Sequence, residues 1–287
     1  LAKSVLNEGV SLFASFVILF PQNINAATLT SASATLGNPR FSFRAGANTG
    51  TAGTSTVSID ASGNPDITTG HLFPGDTVCF TNATLDGCIG NTTYTVQNII
   101  DGTNFNLSNP LSVGVDANGY VIASQSATTT TPLTISFTTV STTPVGGSIL
   151  ITIPMADSAR GNDGMPDTNT TVASNGFDLS GLATSNISVT GCTDANWNVA
   201  GATITPGSGT TDHTISIPRQ TASCAGGSPI TVTIKKLVNP APISSGHTQG
   251  VAENYKIQVA TRDGTPATLD SANLGVVAVE GVLVSAT

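Results

Sequence analysis

The chain has 287 residues, of which only 9% are charged and roughly a quarter are Ser or Thr; an average globular protein is about 25% charged. Nine Lys and Arg against seventeen Asp and Glu leave a net charge of −8, which removes the phosphate-neutralising term behind nucleic-acid binding and disfavours anionic membrane surfaces. Few Glu, Lys and Arg and many Thr, Val and Ile argue against solvated helix faces and for an all-β protein.

Residues 1–26 stand apart from the rest. A single Lys3 precedes an apolar run from Val10 to Phe20, followed by Pro21 and the small-residue ending Asn25-Ala26. A run this short falls well under the roughly 20 residues needed to span a bilayer, and the pattern is that of a secretory signal-peptide helix cleaved after Ala26, with a short buried helix or edge strand of the fold and a pilin-like assembly helix as the other readings. The mature chain is therefore expected to be extracellular or at the cell surface, with no membrane span.

From Ala27 onward, short alternating apolar runs are separated by Gly, Pro, Asn and Asp clusters, the spacing of a sandwich or barrel. Strands are expected at Phe41–Arg44, Val57–Ile59, Thr77–Phe80, Tyr94–Ile100, Asn104–Leu107, Tyr120–Ala123, Leu133–Thr138, Ser148–Ile153, Ile187–Val189, Ala202–Thr205, His213–Ile217, Ile230–Lys235, Tyr255–Ala260 and Leu274–Val284. In Ile149–Ile153 and Ile230–Ile234 three β-branched residues fall on one face, which should line a core. Asp101-Gly102 between two such runs is a hairpin signal. Trp197, the single Trp, is expected to anchor a core. His213, at the start of its run, is expected at a strand edge, and Lys256, between Tyr255 and Ile257, should point to solvent.

Four cysteines, an even number, fit an oxidising compartment. Cys79 and Cys88 bracket a step containing Asn82, Asp86 and Gly87, which suits closure of a hairpin by a disulfide; Cys192 and Cys224 would form the second bridge. Zinc is the alternative, disfavoured because no C-x-x-C spacing occurs and His71, His213 and His247 are widely scattered.

Two zones carry a resemblance. The Pro74-Gly75-Asp76 strand, the Tyr94-Thr95-Val96 strand and Phe105-Asn106-Leu107 resemble small β-barrel inserts of bacterial and phage surface proteins. Leu133–Thr138, Pro144–Ile149, Asn239-Pro240, Tyr255–Thr261 and Val279–Thr287 resemble secreted Ser/Thr-rich bacterial surface proteins with immunoglobulin-like sandwiches, and Ala27–Arg44 looks like the first strand of that sandwich. The resemblance implies a discontinuous organisation: signal peptide 1–26, first sandwich strands 27–48, an inserted small barrel 49–126, and the remaining immunoglobulin-like β-sandwich 127–287. Tandem domains split at Thr128–Thr131 or Ser141–Pro144 are the alternative.

The stretch from Asp157 to Asn169 is the best binding candidate. Calcium takes six to eight oxygens from alternating Asp and Asn side chains and freed carbonyls, and Asn162-Asp163-Gly164-Met165-Pro166-Asp167 is similar to the core of thrombospondin-type calcium repeats. Asp157, Asn162, Asp163 and Asp167 would be the ligands; a solvated turn-forming loop is the other reading. No other cofactor is implied. No nucleophile elbow, zinc-binding helix or phosphate loop is present, so no catalytic residues are assigned and no enzyme activity is expected. The partner expected is a cell-envelope or extracellular protein or glycan, in a structural or adhesive role. A self-assembling filament or surface-layer subunit using edge-strand pairing, and a carbohydrate-binding module, are the other readings.

Overall fold

A computed structural model describes residues 26–63, 65–157 and 159–281. The expected signal peptide lies outside these residues except for Ala26, as does the end of the chain from residue 282. The strands in chain order are β1 (Ala27–Thr28), β2 (Thr30–Leu36), β3 (Phe43–Thr49), β4 (Thr56–Asp60), β5 (Thr77–Thr81), β6 (Cys88–Ile99), β7 (Asn104–Leu107), β8 (Tyr120–Ala123) and β9 (Ser126–Ala127). They continue with β10 (Leu133–Thr138), β11 (Ser148–Ile153), β12 (Ile187–Thr190), β13 (Thr203–Thr205), β14 (His213–Pro218), β15 (Pro229–Ile234), β16 (Leu237–Val238), β17 (Glu253–Arg262) and β18 (Thr268–Ala278). No α-helix occurs among the described residues, only short 3-10 turns, and none of their helices is long and apolar enough to cross a membrane.

Pairing sorts these strands into two bodies. β3 to β8 close a barrel in the order β3-β4-β7-β6-β5-β8, while β1-β18-β17-β11-β14-β13 form a six-stranded sheet and β12-β15-β10-β2 a four-stranded one. The chain leaves the sheets after Leu36 and returns at β9, which pairs with β16. The segment 27–48 therefore divides: Ala27–Leu36 pairs in the sheets and Phe43–Thr49 in the barrel.

Period-two alternation builds both cores. On β11, Ile149, Ile151 and Ile153 turn inward opposite Ile217, Ile215 and His213 of β14. They join Ile135 and Phe137 of β10 and Val232 and Ile234 of β15 in one buried cluster shared by the two sheets. Each fully buried side chain of this size contributes about 1.5–3 kcal/mol. The barrel has its own cluster, including Phe43, Val57, Phe105, Leu107 and Val121. Its β6–β7 turn forms where the Asp-Gly signal predicts, because Asp101 Oδ1 accepts the amides of Thr103 and Asn104, each at 2.8 Å.

Polar groups knot the two connections to the barrel against the sheets. Ser42 Oγ donates to the Asn239 carbonyl at 2.7 Å and accepts the Gln125 amide at 2.9 Å. Asn239 Nδ2 donates to the carbonyls of Asn38 and Arg40, both at 2.7 Å. Ser42 and Asn239 are fully buried, and these bonds meet backbone groups that burial would otherwise leave unsatisfied.

Each body carries one disulfide. Cys79 of β5 is bonded to Cys88 at the start of β6, and Cys192, just after β12, is bonded to Cys224, in the loop before β15. His213 opens β14, as expected, and is fully buried there. Its Nδ1 accepts the Gly207 amide at 2.8 Å, so Nε2 carries the proton and donates to the Phe177 carbonyl at 2.9 Å. Alternation explains this, since His213 is in phase with buried Ile215 and Ile217.

Candidate functional site

In a chain this poor in charge, a group of buried and half-buried ionisable side chains lies where the barrel meets the sheets. Two members come from the loop between β4 and β5. Asp66 is fixed by a backbone bridge to Ala45, in which its amide donates to the Arg44 carbonyl at 3.1 Å, and by the Arg44 amide, which donates to Asp66 Oδ2 at 2.8 Å. His71 lies edge-on to Phe43 of the barrel core, ring centroids 5.3 Å apart. Three members come from the sheet side: His247 from the β16–β17 connection, Glu253 at the first position of β17, and Glu280 two residues beyond β18.

These residues form a continuous chain. His247 Nδ1 is 3.0 Å from Glu253 Oε1 and its Nε2 is 2.9 Å from Glu280 Oε1. Both ring nitrogens thus face carboxylate oxygens, which calls for the doubly protonated imidazolium. Tyr255 donates its hydroxyl to Glu253 Oε2 at 2.5 Å and accepts from Asn175 Nδ2 at 3.0 Å, carrying the chain into the core between the sheets. Toward the barrel, His71 Nδ1 lies 3.5 Å from both Glu280 Oε1 and Asp66 Oδ1.

Environment sets the charges. The bonds to Glu253 and Glu280 raise the His247 pKa against the opposing effect of burial. Burial works to raise both glutamates, and the donors around them win. Glu253 sits below its ordinary value, held by His247, the Ile243 amide and Tyr255. Glu280 is brought down to about 2 by His71, His247 and the Gly250 amide. Asp66 goes the other way: burial pushes it up to about 6, only partly offset by His71. Burial and the neighbouring Glu253 carboxylate drive the Tyr255 hydroxyl far above its normal range.

A cavity of about 180 Å³ opens beside this chain. Asp66, His71, His247 and Glu280 supply its charged wall, and Ile67 and Ile243 are among its apolar residues. Perturbed ionisable groups around a cavity mark a functional-site candidate.

The acidic loop 157–169 is organised around a buried carboxylate outside it. Asp178, which sequence reading missed, is its centre: fully buried, it accepts the amides of Asp163 and Gly164 at 2.9 Å each and that of Ser180 at 2.5 Å. The expected ligands serve as turn caps. Asp157 Oδ1 accepts from the Ala159 amide, Asp163 Oδ1 from the Met165 amide and Asn162 Oδ1 from the Gly181 amide. Asp167 is buried, its Oδ2 without a partner, and burial followed by the charges of Asp178, Asp157 and Asp163 pushes it up to about 8. Asp178 rises to about 7, chiefly through burial. Among the described residues no group of three or more His, Cys, Asp and Glu side chains could hold a metal ion. Of the residues expected to bind calcium, Asp157, Asn162 and Asp163 each cap a turn through one side-chain oxygen, while Asp167 does not.

Trp197 lies in the core between the sheets, its Nε1 donating to the Gly191 carbonyl at 3.2 Å. The Arg219 guanidinium stacks 4.6 Å above its ring and reaches the Cys192 carbonyl at 2.7 Å, which ties the tryptophan to the second disulfide. Lys256 is exposed.

No protein-family model matches the chain, and neither a curated protein nor a solved structure matches it.

Proposed function

We propose that this is an exported, non-catalytic cell-surface protein, structural or adhesive in role, in which an immunoglobulin-like sandwich carries a small barrel. The observation that carries this reading is the pairing of all four cysteines, one bridge in each body. Disulfides persist in oxidising compartments outside the cytoplasm. The low charge and hydroxyl-rich composition suit an exterior that avoids nonspecific ionic contacts. Two features favour a non-catalytic role. Both ring nitrogens of His213 are bonded to backbone and both of His247 to carboxylates, so neither stands ready as the base that a nucleophile requires; the third histidine, His71, turns Nδ1 toward the carboxylates of Asp66 and Glu280 and leaves Nε2 unbonded among the described residues. The junction chain instead fixes the barrel on its support and lets barrel loops present a contact surface, as loops on rigid scaffolds do. The test is recovery of the protein from the surface or medium of producing cells, together with incubation on glycan, ester and peptide panels. Surface recovery without turnover is expected, and cytoplasmic retention or robust turnover of any panel member would overturn the reading.

A further inference from the structure

The geometry points to the junction cavity as a binding site for a single primary ammonium group on a short apolar stem, a free alkylamine or a lysine side chain. This goes beyond the surface role and does not depend on it. Asp66 is about nineteen-twentieths buried, with 5% of its surface exposed, yet among the described residues its Oδ1 has no hydrogen-bond donor. The closest contact recorded for that oxygen, His71 Nδ1 at 3.5 Å, is beyond the usual N–H···O range. Every other carboxylate oxygen at the cavity wall is engaged: Asp66 Oδ2 by the Arg44 amide, Glu280 Oε1 by His247 and Glu280 Oε2 by the Gly250 amide at 2.7 Å. Among the described residues the cavity therefore offers one free anionic oxygen in a wall that contains no Lys or Arg, and whose His247 imidazolium is already matched by Glu253 and Glu280.

That arrangement selects among cations. A guanidinium forks onto two carboxylate oxygens at once, whereas an ammonium is a compact point charge that one oxygen can hold. Thr68 and Ser244 bring hydroxyl oxygens to the same wall, acceptors for the remaining N–H groups, and Pro65, Ile67 and Ile243 bring apolar surface for the stem. At about 180 Å³ the cavity is smaller than the roughly 300–1,000 Å³ of sites for drug-sized ligands, which suits a four- or five-carbon chain and excludes a disaccharide. A bound ammonium would also keep Asp66 ionised, removing the electrostatic cost of burying that carboxylate alone.

The test is an NMR titration of the full chain at pH 7.5 with n-butylammonium, with Nα-acetyl-lysine methylamide, with n-butylguanidinium and with n-butanol. The expected result is saturable shifts at residues 65–71, 243–249 and 280 with butylammonium, at roughly millimolar affinity for so small a ligand, at least tenfold weaker binding of butylguanidinium, and none with butanol. Binding of butylammonium alone assigns the site to free amines; binding of the lysine derivative as well extends it to peptides. Asp66→Asn should weaken butylammonium at least tenfold, while Asp60→Asn, on β4 outside the cavity lining, should leave it unchanged. Should Asp66→Asn not fold, Ile67→Lys at the exposed cavity wall serves instead, since a resident ammonium there should compete with the added one. Absence of saturable shifts with either amine, an equal response to butanol or to the guanidinium, or undiminished binding in folded Asp66→Asn or Ile67→Lys protein would overturn the assignment.

Discussion

His247 Nε2 lies 2.9 Å from Glu280 Oε1 while its Nδ1 lies 3.0 Å from Glu253 Oε1, so one imidazolium joins the end of β18 to the start of β17 beneath the barrel. Each carboxylate keeps the histidine charged, and the charged histidine keeps both carboxylates ionised. Removing one partner leaves the others buried without compensation. Glu253→Gln should therefore lower the His247 pKa back toward the value of a free histidine and reduce stability by about 1–3 kcal/mol. Imidazole proton shifts followed against pH, alongside urea unfolding, check both.

Stability should rise as the pH falls from about 8 to about 5. Asp167, Asp178 and Asp66 have folded pKa values raised to about 8, 7 and 6. The folded state thus holds protons that the unfolded chain, at an ordinary 3.8, releases. Their contribution is full below that unfolded value and is lost as the pH climbs through the folded values. His247, also raised, acts in the same direction, while His213, lowered by burial, opposes them as the pH falls through the ordinary histidine value, by less than the three aspartates together. Glu253 and Glu280 are lowered, Glu280 to about 2; their contribution is present above the ordinary glutamate value and is lost on further acidification. A melting-temperature profile between pH 3 and 9 should peak near pH 4.5–5.5.

Asp167→Asn should flatten the alkaline limb of that profile. The amide keeps the shape of the side chain but cannot ionise beside Asp178, Asp157 and Asp163. The variant should melt higher than the parent at pH 8 and close to it at pH 5, a comparison that differential scanning calorimetry makes directly.

The two disulfides should differ in worth. Their cysteines are 9 and 32 residues apart. Loop-closure entropy assigns about 2.5 kcal/mol to the short bridge and about 3.5 to the long one. Cys192→Ala with Cys224→Ala should thus cost more in denaturant midpoint than Cys79→Ala with Cys88→Ala. Loss of the long bridge should also loosen the Arg219 stack on Trp197, visible as a change in tryptophan fluorescence.

Asn239→Ala should release the connections to the barrel without melting either core. Its amide holds the carbonyls of Asn38 and Arg40, and nothing in the neighbouring barrel cluster depends on it. Hydrogen exchange should accelerate over residues 38–42 and 123–127 while β6, β11 and β14 keep their protection.

The strands were legible because alternation is local: Ile149–Ile153 and Ile230–Ile234 announce their buried faces within five residues. Both disulfides were open to reading from spacing and even number. The junction site was not, because Asp66 and Glu280 are separated by most of the chain and meet only when the barrel seats on the sheets. A weaker signal existed. Glu253 is in phase with buried Tyr255, Ile257 and Val259 on β17, and Glu280 continues the phase of buried Leu274, Val276 and Ala278. A carboxylate on the apolar face of a strand must find a partner, and two of the three glutamates in the sequence occupy such positions. The acidic loop was ambiguous for the opposite reason. Its Asp and Asn spacing suits calcium and backbone amides equally, and the deciding residue, Asp178, lies outside the motif.

The most direct measurement is a non-reducing peptide map, with N-terminal sequencing, of the protein recovered from outside its producing cells. The expected result is a mature chain beginning at Ala27 with Cys79 joined to Cys88 and Cys192 joined to Cys224. Protein confined to the cytoplasm, or recovered outside with free thiols or crossed pairs, would contradict the account.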